Sequence, residues 1–383
     1  MKFEFATAGR ILFGWDAFEQ VPSLARPLGS SALLVLGRQG RQGGSLAAKL
    51  AEQGIRSLAF HVDREPDVAT VEAAAGLARS EGCDLVIAVG GGSVIDAAKA
   101  AAAMASQSGS VLDHLEVVGA GKPLEAPPLP ILAVPTTAGT GSEVTRNAVV
   151  EVPERRVKVS LRAPGLLPRV ALIDPALTIS LPPALTAYTG MDALTQLIEP
   201  FVSLAANPLT DGFCREGIAL AARSLAVAYR DGADRKARED MAAASLLGGL
   251  ALANAKLGAV HGLAGVLGGT FGFPHGAICA RLLPLVMAAN IDELERRTPD
   301  SPALGRYTEI ARILTGDPTA DAADGVDWVD ALCRTLSIPP LSIPDLEDGL
   351  QAVIAVAMRA SSMQGNPIIL SEGRLSEILQ AAR

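Results

Sequence analysis

Between Ser31 and Val134 the chain alternates short, unbroken aliphatic runs with Ala-rich stretches of helical length, and this alternation restricts the fold more than any other feature. Ser31–Leu36 (SALLVL), Arg56–Val62 (RSLAFHV), Leu85–Val89 (LVIAV) and Pro130–Val134 (PILAV) read as strands. Ser45–Gln53, Val68–Glu81 and Val94–Ser106 read as helices between them. Strands and helices in strict alternation are the pattern of parallel βαβ units. Strands that are apolar at every position, not every second one, need cover on both faces.

The pattern changes near Leu181-Pro182-Pro183. Beyond it no strand is expected. Thr186–Phe201, Pro208–Tyr229, Arg235–Ala255 and later segments have helical length and period, punctuated by Pro200, Pro274, Pro284 and Pro339-Pro340. The expected organisation is an α/β domain over residues 1–180, with a Rossmann-like parallel sheet, and an all-helical domain over residues 181–383. Hydrophobic residues make up 49% of the 383-residue chain and charged residues 19%, a globular balance. Aromatics are only 4%, so close packing of small aliphatic side chains is expected to dominate.

Charge and motif content remove several function classes. The net charge is −8, and the densest basic stretch is Arg155-Arg156 near Lys158, which gives nucleic-acid binding no electrostatic support. No run of about 18 apolar residues exists, so no membrane helix is expected. The N-terminal MKFEFATAGRILFG lacks the apolar core of a signal peptide. Cys83, Cys214, Cys279 and Cys333 are widely spaced and form no CxxC; they read as reduced core thiols of a cytoplasmic protein.

Two loops invite an anion. Gly90-Gly91-Gly92-Ser93 follows the LVIAV strand and opens a helix carrying Asp96 and Lys99. Glycines let a phosphate reach the backbone, and the helix dipole favours negative charge there. The run is neither GxGxxG nor a P-loop, and strand-to-helix turns need glycine for their own sake. The second loop, Pro135-Thr136-Thr137-Ala138-Gly139-Thr140-Gly141-Ser142-Glu143-Val144-Thr145, follows the PILAV strand and alone would pass for a capped turn. Two such loops at one carboxyl edge make a dinucleotide site the better reading. The first strand ends Leu36-Gly37-Arg38-Gln39-Gly40-Arg41, with no carboxylate for a ribose 2′-hydroxyl. Gly37 leaves room for a 2′-phosphate that Arg38 or Arg41 can pair with, which tilts an NAD or NADP reading towards NADP.

The chain has four histidines, and two lie 14 residues apart, in Val260-His261-Gly262 and Pro274-His275-Gly276. Pro274 separates them into different helical segments. An imidazole in so apolar a stretch needs a partner. In Gly190-Met191-Asp192-Ala193-Leu194-Thr195-Gln196, Asp192 and Gln196 share a helix face. Asp192, His261 and His275 offer one hard oxygen and two borderline nitrogens, a set that suits Fe²⁺ or Zn²⁺, with Gln196 as a neutral addition.

Taken together these stretches resemble the iron-type (group III) alcohol dehydrogenase family, whose superfamily also holds glycerol dehydrogenase and maleylacetate reductase. The matching runs are GGGSVIDAAKA (Gly90–Ala100), PTTAGTGSEVT (Pro135–Thr145), PPALTAYTGMDALTQLIE (Pro182–Glu199) and HGLAGVLGGTFGFPHG (His261–Gly276). The resemblance implies a dinucleotide-binding domain, a helical metal-binding domain and an active site in the cleft between them. It implies cofactor contacts from Gly91, Gly92, Ser93, Asp96, Thr136, Thr137, Thr140 and Lys158, metal ligands Asp192, His261 and His275, and a fourth ligand position at Gln196. The implied activity is hydride transfer between NAD(P) and a small alcohol, aldehyde or ketone. A homodimer or larger homo-oligomer is implied as well.

Two departures stand out. The family's alcohol dehydrogenases usually carry histidine where this chain has Gln196, and often another where it has Gly265. The first bears on metal affinity and identity, the second on the proton route, for which water or a cofactor ribose hydroxyl remains. Two other readings follow. One is a metal-independent keto-acid reductase similar to maleylacetate reductase, with Arg146 and Asn147 holding a carboxylate. The other is a non-catalytic nucleotide-binding or assembly protein.

Overall fold

The computed structural model describes the chain except residues 1, 39, 41, 156 and 344–346, and of residues 347 and 348 only the backbone. Arg41 and Arg156 therefore lie outside the described residues. The chain forms two compact units, one of Ala6–Thr137 with Gly141–Thr178, the other of Ile179–Arg383 with Met1–Phe5 and Ala138–Thr140.

The first unit contains strands β1 (Ile11–Phe13), β2 (Ser31–Gly37), β3 (Arg56–Val62), β4 (Leu85–Gly90), β5 (Ile131–Pro135), β6 (Asn147–Val152), β7 (Val157–Arg162) and β8 (Val170–Ile173). Its helices are α1 (Val21–Ala25), α2 (Gly43–Glu52), α3 (Val68–Ser80) and α4 (Gly92–Ala105). Six strands form one parallel sheet in the order β1-β8-β5-β4-β2-β3. Leu33, Leu34 and Val35 are consecutive and all buried, so both sheet faces are covered, as their unbroken apolar run requires. From β2 the chain steps to β3 on one side and then crosses to β4 on the other. The strand order thus reverses between β2 and β4, which end at Gly37 and Gly90.

Four strands escape the sequence pattern. β1 and β8 have three and four residues, too few to show a period. β6 and β7 form a separate antiparallel pair, with Asn147 opposite Arg162.

The second unit holds α5 (Pro183–Val202), α6 (Pro208–Arg230), α7 (Arg235–Ala255), α8 (Ala259–Phe271), α9 (His275–Arg297), α10 (Pro302–Thr315), α11 (Ala322–Thr335), α12 (Glu347–Ala357) and α13 (Glu372–Ala381). As expected, it contains no strand among the described residues. No single described helix is long and apolar enough to cross a membrane. α5 is buried almost all round from Thr186 onward, so it runs through the core and its polar residues Asp192, Gln196 and Glu199 are buried with it.

Two prolines read as breaks lie inside helices, Pro200 in α5 and Pro284 in α9. Proline has no N–H to give the carbonyl four residues back, here Ala280. The Cys333 thiol donates to that carbonyl at 3.2 Å, which replaces the lost bond and lets α9 continue.

Candidate metal centre and dinucleotide loops

Three helices of the second unit bring four donor side chains together. Asp192 comes from α5, His261 from α8, and His275 and Cys279 from the first two turns of α9. One donor atom from each lies within 4.8 Å of every other. Asp192 Oδ1 stands 3.3 Å from His261 Nε2 and 3.5 Å from His275 Nε2. Cys279 Sγ stands 3.9 Å from the first nitrogen and 3.6 Å from the second. The break at Pro274 makes this possible, because it starts α9 at His275 and turns that imidazole towards α5. The glycine after His275 serves the same approach: a Cβ on Gly276 would lie 2.3 Å from the Tyr188 carbonyl oxygen of α5.

Cys279 did not stand out in the sequence as more than a core thiol. Its signal was its place four residues after His275, one helical turn away on the same face. All four cysteines are free and buried, as expected, and among the described residues Cys279 is the one with donor neighbours of this kind.

Asp192 Oδ1 and Gln196 Oε1 are buried without a hydrogen-bond partner among the described residues. The histidine nitrogens approach Asp192 closely but not in hydrogen-bond geometry. Left so, Gln196 Oε1 costs about 1–3 kcal/mol, whereas Asp192 Oδ1 is offset by its ion pairs with the two imidazoles. A divalent cation is the partner Asp192 lacks, and a carboxylate with two imidazoles is a donor set for a borderline metal. The residues present therefore fit the metal.

Glu199, which the sequence reading quoted without giving it a role, orients this cluster. Its Oε2 accepts from His261 Nδ1 at 2.7 Å and its Oε1 from the Val260 amide at 2.7 Å. That contact fixes the His261 ring with Nε2 facing the donor cluster, where that nitrogen would be free to bind a metal once its proton is lost. Electrostatics are correspondingly strong. Burial opposes ionisation of Asp192, but His275 and His261 outweigh it and hold the carboxyl far below its ordinary value. Burial would lower the His275 pKa, yet the Cys279 sulfur and Asp192 push it up to about 10. His261 is likewise raised against burial, by Cys279, Asp192 and Glu199.

In the first unit, Gly90 and Pro135 are register partners on β4 and β5, so the two glycine- and hydroxyl-bearing loops leave the sheet side by side. Gly91, Gly92, Ser93, Thr136 and Thr137 are all part-exposed there, and Thr140 is part-exposed further along its loop. α4 starts after Gly91 with no side-chain cap on its amides. A Cβ on Gly91 would meet the Thr137 side chain at 3.2 Å, which puts the two loops in contact.

Behind them, Lys99 is fully buried. Its Nζ donates to the carbonyls of Ser142 (2.5 Å), Thr145 (2.8 Å) and Asn147 (3.0 Å) and to the Thr145 hydroxyl (2.9 Å). Burial pushes its pKa down to about 8 against the pull of Asp96 and Glu143, so it stays mostly charged at neutral pH. Asp96 accepts from the Ser142 hydroxyl at 2.6 Å and the Val149 amide at 3.2 Å. Lys158 pairs with Glu65 at 2.5 Å. Asn147 opens β6, part-buried. Gly37 ends β2, with Arg38 exposed beside it.

Comparison with known proteins accounts for both halves. Residues 8–175 match the iron-containing alcohol dehydrogenase family, and residues 186–383 match the C-terminal part of the Fe-containing alcohol dehydrogenase family. Alcohol dehydrogenase 4 of Saccharomyces cerevisiae is 40% identical over 297 residues, 77% of this chain and 75% of that protein. The crystal structure of a 1,3-propanediol oxidoreductase superposes with a TM-score of 0.91 at 33% identity, covering 100% of both chains. That of sulfoacetaldehyde reductase from Bifidobacterium kashiwanohense, in complex with NAD⁺, gives 0.86 at 30% identity, covering 99% of this chain and 98% of the other. With its donor cluster, its paired glycine and hydroxyl loops and these relatives, the chain belongs to the iron-containing alcohol dehydrogenase family and is a metal-dependent alcohol oxidoreductase.

Proposed function

We propose that this enzyme interconverts small aliphatic alcohols with their aldehydes or ketones, using NAD(P) and one Fe²⁺ or Zn²⁺ held by Asp192, His261 and His275. The approach of Asp192 Oδ1 to within 3.5 Å of both histidine Nε2 atoms carries the reading. When bound, the metal supplies Lewis acidity towards the substrate oxygen, and the nicotinamide the exchange of hydride. Asp192 contributes the anionic ligand, buried where water does not screen it. Gln196, one turn along α5, keeps a buried oxygen for the ion or for a water beside it. Rigorous chelation should abolish turnover, and one equivalent of Fe²⁺ or Zn²⁺ should restore it. Turnover undiminished after metal removal would sink the reading.

Glu199 acts through His261, holding its tautomer and ring. Glu199→Gln should weaken metal binding by about 10–100-fold, the usual effect of losing a carboxylate behind a ligating histidine. A competition titration with a chelator measures it, and an unchanged affinity would assign Glu199 to structure alone.

For the dinucleotide we assign Gly91, Gly92, Ser93, Thr136, Thr137 and Thr140 to direct contact. Asp96, bonded to Ser142, and Lys158, paired with Glu65, complete the proposed cofactor set, and Asn147 is assigned to the substrate side. NADP is the proposed preference, because Gly37 ends β2 without a carboxylate and Arg38 is exposed beside it. A Cβ at Gly37 would meet only Val94 Cγ2, at 3.6 Å, so a side chain fits. Gly37→Asp should lower kcat/KM for NADP by about 100-fold through like-charge repulsion, sparing NAD. Equal losses with both cofactors would refute the preference. A homo-oligomer working in the cytoplasm completes the proposal, on the family resemblance and the free thiols.

A further inference from the structure

We infer that Cys279 is itself a metal ligand, so that the ion sits in an Asp-His-His-Cys set and the thiolate fills the position that Gln196 occupies only weakly. This rests on the metal reading above and adds to it a donor outside the three-residue set. Bond lengths to zinc are about 2.0–2.2 Å for nitrogen and oxygen and about 2.3 Å for sulfur, so a tetrahedron has N···O edges of about 3.4 Å and N···S edges of about 3.6 Å. The Asp192 Oδ1 edges measure 3.3 and 3.5 Å, and the Cys279 Sγ edges 3.9 and 3.6 Å. The remaining separations lie within the same 4.8 Å limit. Four of the six edges thus come close to those of a tetrahedral ion, and the four donors converge from α5, α8 and α9.

The burial pattern points the same way. Cys279 and Asp192 are both buried, and Asp192 Oδ1 lacks a hydrogen-bond partner among the described residues. A thiol placed only for packing does not need two imidazole nitrogens aimed at its sulfur. One thiolate and one carboxylate also neutralise a divalent ion in full, which lowers the cost of burying it. Sulfur shifts the preference of the site towards softer ions, and so towards Zn²⁺ over Fe²⁺.

Cobalt separates this inference from the metal reading. The full-length protein, stripped and titrated with Co²⁺, should take up one equivalent with visible d–d absorption and a near-ultraviolet thiolate-to-cobalt band. Cys279→Ser and Cys279→Ala should each lose that band and bind at least tenfold more weakly. No cobalt uptake by the parent protein overturns the metal reading and Cys279 with it. Visible absorption without the thiolate band, or a band surviving in both variants, overturns Cys279 alone. X-ray absorption on the zinc-loaded parent needs no variant. One sulfur at about 2.3 Å supports the inference, and a shell of nitrogen and oxygen only refutes it.

Discussion

Asp192→Asn should leave a folded protein without its metal and lower kcat/KM by about 1,000-fold or more. The replacement keeps the side-chain volume on α5, where Asp192 is buried, and removes only the charge. That charge sits within 3.5 Å of both histidine nitrogens. Without it the ion loses an anionic ligand, and the histidines lose a partner that raises their pKa. Lewis-acid stabilisation of developing charge is worth several kcal/mol; about 4 kcal/mol corresponds to the expected thousandfold. Elemental analysis, steady-state kinetics and thermal unfolding on one preparation check it. A variant that keeps one equivalent of metal, or turns over within tenfold of the parent, would show that Asp192 is not the anchor.

The largest stability effect is expected at Lys99, in the other unit. Lys99→Met leaves the carbonyls of Ser142, Thr145 and Asn147 without their buried donor and Asp96 without a nearby cation. Breaking a buried charged network in this way costs about 3–5 kcal/mol. For a unit of this size that lowers Tm by about 10 °C. Cofactor affinity should fall with it, since the same bonds hold the end of the hydroxyl loop beside the glycine loop. Urea unfolding measures the loss. A change under about 1 kcal/mol would mean that water reaches those carbonyls, and the staple role would be abandoned.

Much of the fold was legible because apolar periodicity is a local property. The unbroken runs at Ser31–Leu36 and Leu85–Val89 demanded a sheet covered on both faces, and the helical stretches between them demanded parallel crossovers. The prolines show the limit of that reading. Pro274 does separate two helices, whereas Pro284 sits inside α9 because Cys333, 49 positions further on, satisfies the carbonyl it frees. No local pattern reveals a partner at that distance.

The same division runs through the candidate site. Residue chemistry by itself singled out Asp192, Gln196, His261 and His275, and the glycine and hydroxyl loops, because donor atoms and glycines keep their character in any fold. That the loops begin at register partners, Gly90 and Pro135, was decided by strand order. That Glu199 orients His261, that Lys99 is turned inward, and that Cys279 joins the donor cluster were decided by how α5, α8 and α9 pack and how the loop folds over α4. A side chain's donor chemistry is written in the chain; which atoms stand within 4 Å of it depends on contacts between residues far apart in sequence, and only the folded core sets those.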